Sequence, residues 1–162
     1  MSKLYIFIAI FSFIGIQAQE YNFPKAALND SLINADGEKV SFNSIIEGNR
    51  GKVVLLDIWA SWCKDCIIGM PIVKDLKKEY PQVSFVYISL DRNEEAWKKG
   101  IQRFKINDGT HYWAAGGWDS ALFKGIDLDW IPRYMILDEQ GNIKLYKAIK
   151  ANDKRIVKQL RG

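Results

Sequence analysis

The stretch DIWASWCKDC, Asp57 to Cys66, holds both cysteines of a 162-residue chain, with two residues between them. Two thiols this close suit thiol–disulfide exchange, metal ligation or a structural bridge. A structural bridge gains most when it closes a long loop, so a two-residue loop adds little stability and weight shifts to chemistry. A structural zinc site takes four Cys or His ligands. This chain offers two Cys and one His, the distant His111. A copper site drawn from Cys63, Cys66 and His111 stays open on ligand type.

The flanks place the pair. KVVLLDIWA (52–60) is apolar apart from Asp57 and its first residue, and reads as a strand covered on both faces. From Cys63 to Tyr80 the apolar residues Ile67, Ile68, Ile72, Val73, Leu76 and Tyr80 recur at helical spacing. VSFVYISLD (83–91) is a second buried strand, so the segment is a βαβ unit in a parallel sheet. Cys63 then falls at a helix N-terminus, where free amides and the helix dipole favour thiolate over thiol. Cys66 lies one turn further in and is less exposed. Cys63 can attack an external disulfide, and Cys66 can resolve the mixed disulfide from within. Lys64 adds favourable charge and Asp65 opposes it. Asp57, inside an apolar strand, is costly to ionise; a raised pKa makes it a candidate proton acceptor. The alternative is a half-exposed strand with Asp57 facing water.

Outward from this unit, SLINADGEKVSF (31–42) reads as a hairpin turning at Asp36-Gly37. Asp91 and Glu94 make a capping-box pattern before a helix that carries Trp97, Ile101 and Phe104 on one face. THYWAAGG (110–117) is a short strand ended by glycines, and 118–124 a short helix. RYMILDEQGNIKLYKA (133–148) is a hairpin turning at Gly141, and Asn152 caps a last helix that buries Ile156, Val157 and Leu160. The order is hairpin, βαβ, an inserted αβα segment, ββ and α. That is an α/β sandwich with a central mixed sheet between helices. Tyr112, Trp113, Trp118 and Trp130 could line a groove, but core filling is the expected role for most of them. Trp62, beside Cys63 on the turn, is expected to be partly exposed. Arg133 is read as a surface or substrate-facing residue, and His111 as a strand residue without an assigned role.

At the N-terminus, Lys3 precedes the apolar run Leu4 to Ile16, and polarity returns at Gln17 to Gln19. This reads as a signal peptide over residues 1–18, followed by one domain over 19–162. An uncleaved membrane anchor is the alternative, although the run is shorter than the ~20 residues a spanning helix needs. Hydrophobic residues make up 48% of the chain, enough for a core in one domain. The net charge of +4 falls to +3 if Lys3 leaves with the leader. Basic and acidic residues are interspersed, and the basic stretch after Lys147 reads as a solvated helix face, so nucleic-acid binding has no signature.

DIWASWCKDC resembles the active-site segment of the thioredoxin superfamily. Asp57 matches that family's buried Asp, Trp59 and Trp62 its aromatic residues, Pro71 its helix-kinking proline, and DWIPRYMILD (129–138) its loop with a cis proline, at Pro132. The leader and the segment 93–124 resemble the exported TlpA/ResA-like thiol-disulfide oxidoreductases, some of which serve cytochrome c maturation. The resemblance implies a thioredoxin-like fold with an N-terminal hairpin and an insertion before the cis-proline strand. It implies Cys63 as nucleophile, Cys66 as resolving thiol, Asp57 as proton acceptor, and Trp62, Ile131 and Pro132 as the substrate platform. It calls for no cofactor and no resident metal. Its partners would be protein disulfides, apocytochrome c among them, and a membrane thiol-electron transporter; the protein would be periplasmic and monomeric. Two departures stand out. Relatives often carry Pro before the second cysteine, where this chain has Asp65, and many carry Glu three residues after it, where this chain has Gly69. A peroxiredoxin-type peroxidase is a second reading of the fold, but the Thr expected three residues before its cysteine is Ala60 here.

Overall fold

The computed structural model describes residues 22–161. The leader read at residues 1–18 lies outside the described residues. The expected βαβ unit forms: β3 (Val54–Trp59), α3 (Lys64–Glu79) and β4 (Ser84–Ser89), with β3 and β4 parallel. All six residues of β3 are buried, as a strand covered on both faces must be. The N-terminal hairpin is β1 (Ser31–Asn34) and β2 (Lys39–Ser41). Its turn needs the positive φ of Gly37, 86°, which a residue without Cβ adopts freely. The inserted segment is α4 (Glu94–Phe104), β5 (Thr110–Trp113), a 3₁₀ turn (Gly117–Asp119) and α5 (Ala121–Gly125). The hairpin β6 (Arg133–Leu137) and β7 (Ile143–Ala148) and the helix α6 (Lys154–Leu160) complete the chain. Two short helices were not legible in the sequence: α1 (Lys25–Leu28) and α2 (Phe42–Glu47) are too brief to show a 3.6-residue period.

The seven strands lie in the order β2-β1-β5-β4-β3-β6-β7. Pairs β3/β4 and β4/β5 are parallel and the others antiparallel, so the sheet is mixed; β3 is an interior strand between β4 and β6. Helices α3, α4 and α6 share one layer. Lys74 of α3 donates to the Phe104 carbonyl at the end of α4 (2.6 Å), and Arg161, just after α6, reaches the Tyr80 hydroxyl at the end of α3 (3.2 Å). Helices α1, α2 and α5 cover the opposite side. There Phe23 packs edge-on against Phe42, and Asp30 accepts from the Leu122 amide (2.8 Å).

Two local expectations are corrected. Asn93, not Asp91, caps α4, accepting from the Ala96 amide (2.8 Å). Asp153, not Asn152, caps α6, accepting from the Arg155 amide. On α3 the buried face is Cys66, Gly69, Met70, Val73 and Leu76, while Ile68 and Ile72 point outward. Their helical spacing marks a helix, as expected, but does not put them on its buried face.

Candidate active site

Cys63 is the N-cap of α3, and its Sγ accepts the Cys66 amide at 3.1 Å. An amide aimed at that sulfur stabilises a negative charge there, which is how a helix N-terminus activates a thiol. The two cysteines are joined in a disulfide, with Cα atoms 5.3 Å apart. They are unequal. Cys63 is 5% exposed and lines an open cleft of about 390 Å³; Cys66 is 2% exposed and does not line it. The cleft walls are Trp62, Trp118, Trp130 and Ile131. The Ile131–Pro132 bond is cis. The Ile131 carbonyl lies 3.7 Å from Cys63 Sγ. With the disulfide formed this is a contact only; a reduced Cys63 thiol has a hydrogen to donate to it. Trp62 is 53% exposed, as its place on the turn predicts. Trp118 and Trp130 depart from the core-filling role: both stand half-exposed over the sulfur, while Tyr112 and Trp113 pack against the core.

Asp57 is buried, which removes the water-facing alternative. Its register partners are Tyr87 on β4 and Tyr134 on β6, so the three side chains share one sheet face. That face lies under α3. A Cβ added at Gly69 would stand 2.6 Å from the Tyr134 hydroxyl, one turn beyond Cys66. The glycine thereby explains a departure from the family pattern: tyrosine fills the space that a Glu side chain there would need. Asp57 Oδ1 has no hydrogen-bond partner, and burial pushes its pKa up to about 8. Burial also raises both tyrosines, with the Asp57 charge adding to it, so both hydroxyls keep their protons at neutral pH.

Asp91 is a site residue that sequence reasoning assigned elsewhere. It is buried, and its carboxylate accepts from the Ser61 amide (3.1 Å), the Ser61 hydroxyl (2.7 Å) and the Ser89 hydroxyl (2.8 Å). It therefore pins the segment immediately before Trp62 and Cys63. The legible signal was its place just past the carboxyl end of a parallel strand, where α/β folds put their sites. Asp91→Asn keeps an acceptor for the Ser61 amide and turns a donor toward two hydroxyls that can reorient. The expected cost is about 1–2 kcal/mol by urea denaturation, with a measurable shift in the Cys63/Cys66 reduction potential. An unmoved potential would show that this tether does not set the geometry of the cysteine turn.

Arg133 neither faces substrate nor lies at the surface. It is wholly buried, and its guanidinium donates to the carbonyls of Ile126 (3.2 Å) and Asp127 (3.4 Å) and to Asp129 Oδ1 (2.5 Å). It thereby ties down the loop that presents Trp130 and Ile131. His111 is buried and stacked on Tyr87 (4.7 Å between ring centroids), with Nε2 on the Ile106 carbonyl at 2.6 Å. Burial lowers its pKa. Among the described residues no cluster of three His, Cys, Asp or Glu side chains is arranged to hold a metal, so the Cys63–Cys66–His111 copper set does not assemble.

A cysteine pair capping a helix, opposite a cis-proline loop and above a mixed sheet with a buried acid, defines the class of thioredoxin-fold redox domains. Residues 51–143, more than half of the chain, match the family described as thioredoxin-like, and the chain belongs to that family. It is 32% identical over 123 residues to Thioredoxin-like protein YneN of Bacillus subtilis, an alignment covering 70% of this chain and 64% of that one. Identity is 31% over 119 residues with Thiol-disulfide oxidoreductase ResA of Bacillus thuringiensis, covering 74% of this chain and 65% of that one. The chain thus spans slightly under two thirds of these curated relatives. Among solved structures, a thiol-disulfide oxidoreductase from Bacteroides fragilis superposes with a TM-score of 0.67 at 28% identity, covering 85% of this chain and 98% of that one.

Proposed function

We propose that the protein is an exported thiol-disulfide oxidoreductase that reduces protein disulfides. The observation that carries this is the Cys63 sulfur, held by the Cys66 amide at a helix start and reachable from a cleft, with its partner sulfur enclosed behind it. The relatives named thiol-disulfide oxidoreductases support the same chemistry.

In the reducing direction, the Cys63 thiolate attacks one sulfur of a client disulfide. That bond breaks, and the first client thiolate leaves and takes up a proton. Cys66 gives its proton to Asp57 and attacks the Cys63 sulfur. The Cys63–Cys66 bond forms as the second client thiolate departs, so two electrons have passed to the client. Ile131 and Pro132 offer backbone to a client strand, and Trp62 covers one side of it. Returning the pair to the dithiol requires a dithiol donor, and a membrane thiol-electron transporter supplies that chemistry. Residues 1–18 act as the export signal, residues 19–162 form the mature monomeric domain, and the compartment is the periplasm. Apocytochrome c is one client of the right kind. No helix among the described residues is long and apolar enough to cross a membrane.

Direction is the finer part of the proposal, because CxxC proteins span roughly 150 mV, about 7 kcal/mol. Two measurements test the whole. Cys66→Ser is expected to trap a mixed disulfide with an oxidised client peptide through Cys63, and Cys63→Ser to trap none. The wild-type potential is expected near the reducing end of that span. A potential as oxidising as that of DsbA would overturn the reductase direction. Equal trapping by both variants would overturn the nucleophile assignment.

A further inference from the structure

Asp57 is 2% exposed, so a proton it takes from Cys66 has to leave through neighbouring groups before the acid can serve again. Four side chains stand in one row across the sheet beneath α3: Tyr134 on β6, Asp57 on β3, Tyr87 on β4 and His111 on β5, each directly paired with the next. Direct partners share a face, with Cβ atoms about 5 Å apart. From α3, Cys66 and Gly69 turn to this side. Lys77 and Asp108 act by charge on His111, and Asp108 on Tyr87 as well.

The two ends of the row differ. At the His111 end it is closed. Nε2 is bonded to the Ile106 carbonyl at 2.6 Å, while Nδ1 and the Tyr87 hydroxyl are buried without partners. The backbone of residue 109 lies against the Tyr87 ring so closely that a Cβ at Gly109 would overlap it. At the Tyr134 end the row opens. A second cleft, of about 410 Å³, lies past Trp130 between Ile68 and Ile72 of α3 and the turn after β7, and Gly69 and Ala151 line it. Ile68 on its wall is 61% exposed, so the cleft is open to water. A Cβ at Gly69 would stand 2.6 Å from the Tyr134 hydroxyl and 3.3 Å from the Ala151 Cβ. The phenol oxygen therefore lies where the cleft meets the sheet, and its ring lies beside Asp57.

We propose that the Tyr134 hydroxyl is the proton exit of Asp57, passing protons between the buried carboxyl and water in the cleft between Gly69 and Ala151. This rests on the thiol–disulfide reading above and deepens it by the step that resets the acid. Asp57 gives its proton to the phenol oxygen while the phenol proton passes to a water or buffer base in the cleft. One O–H bond forms on Tyr134 as another breaks, no electron is transferred, and the phenol stays neutral throughout. Tyr134 touches no client and acts through Asp57. The bare backbone at Gly69 serves the same path, since a side chain there would cover the oxygen.

Tyr134→Phe removes the hydroxyl and keeps the ring, but leaves a space that water can enter from the cleft. Gly69→Ala in that background fills it. The new methyl meets the nearest carbon of the ring, Cζ, at 3.9 Å, an ordinary contact, and the Ala151 methyl at 3.3 Å, which a shift of a few tenths of an ångström relieves. Exchange of the Asp57 proton with deuterated solvent is read in the oxidised protein at pH 6 from the infrared band of the protonated carboxyl, identified by its loss in Asp57→Asn. The double variant is expected to hold that proton on the order of 100 times longer than wild type, until the fold opens locally. A merely structural loss would loosen the fold and speed exchange instead. Decay of a preformed Cys63 mixed disulfide near pH 7 should slow about tenfold, with the Asp57 midpoint, followed by carbon-13 NMR of its carboxyl, unmoved. Tyr87→Phe should alter neither rate. Carboxyl exchange as fast as wild type in the double variant, or slowed by Tyr87→Phe instead, overturns the exit. A midpoint displaced far enough to account for the slower decay would make Tyr134 an electrostatic neighbour only and overturn it too. Slow carboxyl exchange in the double variant, beside a wild-type protein that turns over no disulfide, would keep the exit and overturn the exchange reading.

Discussion

Asp57→Asn is expected to be more stable than the wild-type protein at pH 8, by on the order of 5 kcal/mol. The folded protein holds the Asp57 proton up to about pH 8, whereas the unfolded chain releases it near the ordinary value of 3.8. Between those limits the folded state binds more protons than the unfolded state, so stability falls as pH rises. Below about pH 4 both states are protonated and the difference vanishes; above about pH 8 it has reached its full size. Asparagine resembles the neutral acid in shape and carries no charge to desolvate, so the variant lacks this slope. Urea denaturation of both oxidised proteins at pH 4, 6 and 8 isolates the effect, because every other titrating group cancels in the difference. A gap that does not widen with pH would mean that Asp57 ionises in the fold as freely as in water. The same variant tests the proton role. With no acceptor for the Cys66 proton, decay of a preformed Cys63 mixed disulfide should slow about 100-fold near neutral pH. It should also lose the rise in rate that wild type shows as pH passes through about 8. An unchanged rate and pH profile would remove Asp57 from the exchange.

Arg133→Ala is expected to cost about 3–5 kcal/mol, a large share of the stability of a domain this size. The substitution empties the volume of a wholly buried side chain and leaves the Ile126 and Asp127 carbonyls without their donors. It also removes the contact of the guanidinium with the Tyr146 ring, 5.8 Å from its centroid. Asp129 itself is 59% exposed and keeps Lys147 as a partner, so the cost comes from packing and orphaned carbonyls rather than from a stranded charge. Arg133→Lys should recover part of the loss, since an ammonium carries the charge and three donors but holds them on one nitrogen, without the span of the planar guanidinium fork. Denaturant midpoints measure the stability. The KM for a peptide disulfide measures the functional consequence, because the freed loop carries Trp130 and Ile131. Full stability in the alanine variant would show that the loop holds its course without the guanidinium.

Asp57 and Arg133 mark the two sides of what the sequence can carry. Asp57 was legible because strand period and apolar neighbours are local properties, and a carboxylate among them has one physical consequence. Arg133 was not legible, because its partners are carbonyls of a loop whose path depends on α5 packing against α1. Asp91 was misassigned for a related reason. An acid three residues before a Glu fits a capping box locally, but Ser61 competes for that carboxylate from 30 residues away and wins. Ile68 and Ile72 sit four apart like residues of the core but on the outer side of α3, because that spacing says that they share a face and not which face meets the sheet.

By itself the sequence determined the strand–helix junction at Cys63, the unequal pair of thiols, the proline before β6 and the order of the main elements. Each follows from backbone preferences and from the 2.0 and 3.6 residue periods, which act over short distances along the chain. Only the tertiary structure decided that Trp118 and Trp130 stand over the sulfur, that Tyr134 occupies the space beside Gly69, and that two isoleucines open a second cleft past Trp130. Those outcomes depend on which surfaces remain uncovered once the strands and helices of the described residues have packed. That is a property of long-range contacts, and no short window of residues contains it.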